Sequence, residues 1–151
     1  MTRRNETTQA VTDGSDLVWQ GETYARIPPG VYSGSCTSWQ GPAWVRAFRR
    51  WSLRLNFILM DGETEVSGFL NLGDDPKRKS FGRRSKYYKV WCQANGEPPC
   101  KGQRMPPKTF TEPGLLYILR VDDATKDEHQ AEKPEALVYS KAMEILRVER
   151  I

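Results

Sequence analysis

Histidine is almost missing from this chain. His129 is the only one, and it lies among Glu128, Gln130 and Glu132, where a solvated side chain is the ordinary reading. That scarcity removes most nucleophilic chemistry, because a serine or cysteine nucleophile needs a histidine base to activate it. Cysteine is scarce too. Cys36, Cys92 and Cys100 are odd in number and carry no paired spacing, which argues against both a disulfide framework and a zinc site. A reduced, cytoplasmic protein with incidental thiols is the expectation. No apolar run approaches the roughly 20 residues needed to cross a bilayer, so no membrane span is expected. The opening MTRRNETTQAVTDGSD has no apolar stretch of the kind a secretory signal needs, and residues 1–16 read as a flexible polar tail. A glycine-rich phosphate loop is missing, since GDDPKRKS lacks both the glycine spacing and the Lys-Ser ending. Paired carboxylates occur at Asp74-Asp75 and Asp122-Asp123. Such pairs hold divalent ions in nucleases, but neighbours on a strand point to opposite faces, and each pair sits where a turn or strand end would want it. No cofactor or metal is called for, and an enzyme is not expected.

What the chain does have is unevenly distributed charge. Its 151 residues fit one domain with a real core, spanning 17–151 after the tail. The net charge of +4 says little. Its placement says more. From 77 to 108 the chain carries Lys77, Arg78, Lys79, Arg83, Arg84, Lys86, Lys89, Lys101, Arg104 and Lys108 against Glu97 alone. Arg46, Arg49, Arg50 and Arg54 form a second cluster, and residues 122–135 reverse the sign. A surface facing a polyanion, held apart from an acidic segment, follows from this polarity.

The clearest local pattern spans residues 51–73, WSLRLNFILMDGETEVSGFLNLG. Trp51, Leu53, Leu55, Phe57 and Leu59 alternate with Ser52, Arg54 and Asn56, the period of a half-buried strand. Asp61-Gly62 makes a turn, and a second strand follows with Val66, Gly68, Leu70 and Leu72 on one face and Phe69 on the other. A lone hairpin is marginal in water, so the rest of the chain must complete its sheet. Residues 17–26 read as an edge strand or arm, and residues 31–39 as a strand that bends at Gly34. Residues 40–50 read as a loop or broken extension. Ser85 is placed to cap a short helix over 86–94, stopped by Asn95-Gly96, with Tyr87, Trp91 and Ala94 on its apolar stripe. A proline-rich loop without regular structure is expected from 98 to 107, then a strand over 115–121. An acidic connection follows, and then a closing segment at 136–148 that suits a strand and, as an alternative, a helix. There are no internal repeats.

This order is strand, strand, strand, short helix, strand, strand. It resembles the layout of OB-fold single-stranded-DNA-binding proteins of phages and other mobile elements, a mainly β, five-stranded barrel with its helix between the third and fourth strands. The resemblance is carried by the hairpin, by SKYYKVWCQANGE, and by LLYILRV with ALVYSKAMEILRV. It implies binding of single-stranded DNA, or alternatively RNA, with little sequence preference, in support of replication or recombination. The residues themselves supply the two ingredients such binding needs, cations to follow phosphates and aromatic faces to stack bases. Trp44, Phe69 and Phe81 are the candidate platforms, with Phe81 foremost because charge flanks it on both sides. Arg46, Arg49, Arg50, Arg54, Lys77, Arg78, Lys79, Arg83, Arg84 and Lys86 are the candidate phosphate contacts. Trp51 and Trp91 belong to the core, and Trp44 and Phe48 divide evenly between core and site. The competing readings are a protein-interaction adaptor in a replication or mobile-element complex, and a small metal-dependent nuclease. An exposed edge strand would also let two protomers pair.

Overall fold

The computed structural model describes residues 15–18, 25–78, 81–127 and 129–151. Alternation along β2 (Arg50–Leu59) and β3 (Glu65–Asn71) does what the sequence pattern requires. Leu53, Leu55, Phe57, Leu59, Val66 and Leu70 turn inward, and Arg54, Asn56, Ser67 and Phe69 turn outward. The two strands pair antiparallel with Leu55 opposite Gly68 and Arg54 opposite Phe69. Their turn is fixed by Asp61, whose carboxylate accepts the backbone N–H groups of Glu63 and Thr64, while Gly62 takes a positive φ of 75°.

Strand β1 (Gly30–Val45) is longer than its small-residue pattern indicates and absorbs most of the expected loop. It pairs antiparallel with β4 (Leu115–Ala124) over its first residues and with β2 over the remainder. Gly34 is where it changes neighbours, standing opposite both Tyr117 and Leu59. A Cβ there would lie 2.6 Å from the Ile58 carbonyl oxygen, so the bend requires glycine. Strand β5 (Tyr139–Arg150) pairs antiparallel with β4 along its length and meets β3 in parallel at Gly68 and Ala142. That last contact closes the sheet into a ring of five strands in the order β1-β2-β3-β5-β4. The helical alternative for the closing segment is not realised. Ser140 and Ala142 face inward at strand spacing, and the backbone of β5 is committed to β4.

One helix, α1 (Lys86–Asn95), lies between β3 and β4. Ser85 Oγ accepts the Tyr88 N–H at 3.1 Å, and Gly96 ends the helix with φ 90°. Its buried face, Tyr87, Val90, Trp91 and Ala94, joins the interior side chains in one core. The helix meets β5 at that strand's far end, where Gln93 Oε1 accepts the Val148 N–H and Arg150 donates to the Ala94 carbonyl. The proline-rich segment differs from expectation at its end. Pro107–Thr111 forms a 3-10 turn that buries Phe110, proline suiting the first position of such a turn. The Tyr87 hydroxyl, the Trp91 indole and the Tyr117 hydroxyl donate to the carbonyls of Met105, Pro106 and Phe110 and tie the loop down.

Candidate nucleic-acid interface

The outer face of the ring carries a groove of about 580 Å³. One wall is the turn between β1 and β2, with Val45 and Phe48. The floor is made by outward positions of β2, β3 and β5: Arg50, Ser52, Phe69, Asn71, Tyr139 and Lys141. The other wall is the connection from β4 to β5, with Asp123, Lys126, Asp127 and Lys133 among its residues. Strand periodicity sets this floor, because each outward residue neighbours one that is held in the core. The two bounding loops hold both non-glycine residues with positive φ among the described residues, Arg49 at 52° and Gln130 at 64°. Both are tight, sparsely populated conformations.

Three aromatic rings of the groove each have a cation over one face. Arg50 sits 4.8 Å from the Phe48 centroid, Lys141 4.8 Å from that of Phe69, and Lys133 4.1 Å from that of Tyr139. Phe48 and Phe69 are about half exposed, at 48% and 43%. Among the described residues, Arg50, Lys133 and Lys141 form no ion pair. The lining carboxylates are already engaged. Both oxygens of Asp123 accept from the Arg26 guanidinium, which also pairs with Glu135. Asp127 accepts the backbone N–H groups of Ala131 and His129, which, helped by the nearby charge of Lys133, hold its pKa below the ordinary value. Lys126 is paired with Glu132. The ammonium of Lys141 has its pKa lowered, first by burial and then by the nearby charges of Lys133 and Arg50. With four cations, Arg50, Lys126, Lys133 and Lys141, against the two carboxylates Asp123 and Asp127, the lining presents an excess of positive charge.

The residues singled out in the sequence scatter around this groove. Arg50 and Phe69 line it. Arg54 lies on the same outer face opposite Phe69, with its guanidinium bonded to Asn56 and Ser67. Arg46 and Arg49 are exposed in the wall turn. Trp44 is half-buried, edge-on to Trp51 at 5.7 Å, and the Trp51 indole donates to the Asp75 carbonyl. Lys77, Arg78, Arg83, Arg84 and Lys86 are exposed but lie outside the groove lining, and Lys79 falls outside the described residues. Phe81 is half-buried, packed on the core with its ring 4.8 Å from that of Tyr87. Sequence reasoning left out Tyr139, Lys141 and Lys133. The signal for the first two was alternation, since Tyr139, Lys141 and Met143 interleave with inward Ser140 and Ala142.

Among the described residues, no three His, Cys, Asp or Glu gather where they could hold a metal ion, and no helix is long and apolar enough to cross a membrane. The chain matches no family model, no curated protein and no solved structure.

Proposed function

We propose that this protein is an OB-type barrel that binds single-stranded nucleic acid, DNA foremost, along the groove. The observation that carries the reading is the set of three rings faced by cations that form no ion pair among the described residues. Strand order supports it. A closed ring β1-β2-β3-β5-β4 with a helix between β3 and β4 matches the OB layout. OB folds take oligonucleotides and oligosaccharides on the face of their second and third strands, between the first and last strand-connecting loops. The groove occupies that position, and its unpaired cations favour a phosphate backbone over a neutral sugar.

In the proposed mechanism, unpaired bases enter over Phe48, Phe69 and Tyr139. Arg50, Lys133 and Lys141 swing from the ring faces to phosphate oxygens, which their long side chains allow. Arg46, Arg49 and Arg54 extend the cationic path along the same face. Stacking needs only a π-face, so little sequence preference results. A protein of this kind would serve replication or recombination, where single strands are exposed.

The test is an anisotropy titration of a labelled dT strand of about 30 nucleotides against a matched blunt duplex, over a range of salt. If three groove cations engage phosphates, log affinity falls with log salt at a slope of about −2 or steeper. The single strand is expected to bind more tightly than the duplex. Absence of binding at low salt, or a duplex bound as tightly as the strand, would overturn the reading.

A further inference from the structure

We propose a second, chemically different nucleic-acid surface on the face built by α1 and its flanking loops, which holds duplex backbone next to the strand in the groove and places the protein at single-strand/double-strand junctions. This rests on the groove reading above. Arg83, Arg84, Lys86, Lys89, Lys101, Arg104 and Lys108 are all exposed, and from 81 to 111 Glu97 is the sole acidic residue. None of the seven forms an ion pair among the described residues. The bonds from Tyr87 to Met105 and from Trp91 to Pro106 fasten the second loop to the helix, so these cations belong to one packed unit.

The aromatic content separates this face from the groove. Tyr87 and Trp91 are buried, and Phe81 and Tyr88 are half-buried. Such a face offers charge with little open ring. Single strands gain affinity from rings, whereas duplex bases are already stacked and are met through phosphates. A charge-only face therefore suits duplex.

Position makes the two surfaces complementary. The helix meets β5 at Val148 and Arg150, while the groove uses Tyr139 and Lys141 at the other end of that strand. Seven residues of strand from Lys141 to Val148 put roughly 20 Å between them. The connector between β3 and α1 adds further cations. It leaves the sheet at Asp75, bonded to the Trp51 indole beside the groove residue Arg50, and carries exposed Lys77 and Arg78 before it reaches Arg83 and Arg84. Exposed cations thus stand on the described connector residues on either side of 79–80.

The test compares three labelled probes, a dT strand of about 15 nucleotides, a blunt duplex of similar length, and that duplex carrying the dT strand as a tail. The tailed duplex is expected to bind at least about tenfold more tightly than the tail alone at low salt. Reversing three charges, R84E/K86E/K89E, should abolish that advantage, flatten the salt slope on the tailed duplex by about 2.7, and leave affinity for the tail unchanged. Carboxylates in the first helical turn suit the helix dipole, so the variant should keep its fold. K101E/R104E/K108E, confined to the loop, gives an independent second arm. If the tailed duplex binds no better than the tail, or if both variants weaken the two probes equally, the proposal fails. Failure to bind the tail at all would instead overturn the groove reading.

Discussion

Removing the Phe69 ring separates stacking from charge. The ring stands on the outer face of β3, 43% exposed, opposite Arg54 in register and under the Lys141 ammonium. Phe69→Ala takes nothing from the core. Its cost to the fold is a cation–π contact of about 0.5–1 kcal/mol and part of a strand preference whose full range is about 1 kcal/mol. Under the proposed reading its expected cost to binding is one stacked base, about 1–3 kcal/mol, or about 5- to 140-fold in Kd. Because the ring is uncharged, the Kd ratio should stay constant as salt rises and the slope of log Kd against log salt should not move. Phe81→Ala supplies the contrast. Its half-buried ring packs on Tyr87 at 4.8 Å, so truncation should lower stability by about 1–2 kcal/mol, less than the loss of a fully buried phenylalanine. Affinity of the folded protein should be unchanged. Anisotropy with a dT strand and urea unfolding of both variants decide the matter. If Phe69→Ala binds normally while Phe81→Ala weakens binding without unfolding, the bases stack at the basic connector and the assignment of the groove is refuted.

Two further outcomes follow from the packing. The pKa of Lys141 is lowered, so the folded state holds that proton less tightly than the unfolded chain, and the charged form costs native stability at pH 7. Lys141→Met should therefore raise the thermal midpoint at pH 7, with the gain shrinking as pH climbs through the lowered pKa towards the ordinary lysine value. It should also weaken dT binding and flatten the salt slope by about 0.7, and a lower midpoint at pH 7 would contradict the argument. Gly34→Ala forces a Cβ to 2.6 Å from the Ile58 carbonyl, where backbone and not a flexible side chain must move. A loss of about 1–3 kcal/mol in urea unfolding is expected, and a variant of wild-type stability would show that β1 bends by some other means.

The hairpin was legible because its period is written without interruption from Leu53 to Leu59 and again from Val66 to Leu72. The helix was legible because Ser85 and Gly96 mark its ends, and both act as caps. The groove was only half legible. Phe69 emerges from alternation alone, but Tyr139 and Lys141 lie in a segment whose apolar residues suit a helix as well as a strand, and only pairing with β4 decides between them. Charge accounting was the least legible part. Counted along the chain, residues 122–135 look repulsive to a phosphate backbone. In the fold, Asp123 is taken by Arg26, 97 positions away, and no local pattern shows such a pairing. Phe81 illustrates the same limit. Flanking charges make its neighbourhood look solvated, yet Tyr87 at the helix start gives the ring a protein partner.

The cation–ring contacts of the groove bear on how it would bind. An aromatic ring left open on a strand invites burial against another apolar surface. Covering one face of Phe48, Phe69 and Tyr139 with Arg50, Lys141 and Lys133 reduces that exposure without closing the groove. The cover is weak. An exposed cation–π contact contributes about 0.5–1 kcal/mol, and a stacked base about 1–3 kcal/mol, so exchange of cation for base at a ring is favourable in itself. In the proposed binding mode the displaced cation then reaches phosphate, which adds counterion release to the gain. Had Arg50, Lys133 and Lys141 been paired with carboxylates, each exchange would have to break an ion pair and leave a negative charge beside the incoming backbone. The engagement of Asp123 by Arg26 is therefore as much a part of the proposed binding surface as the rings are.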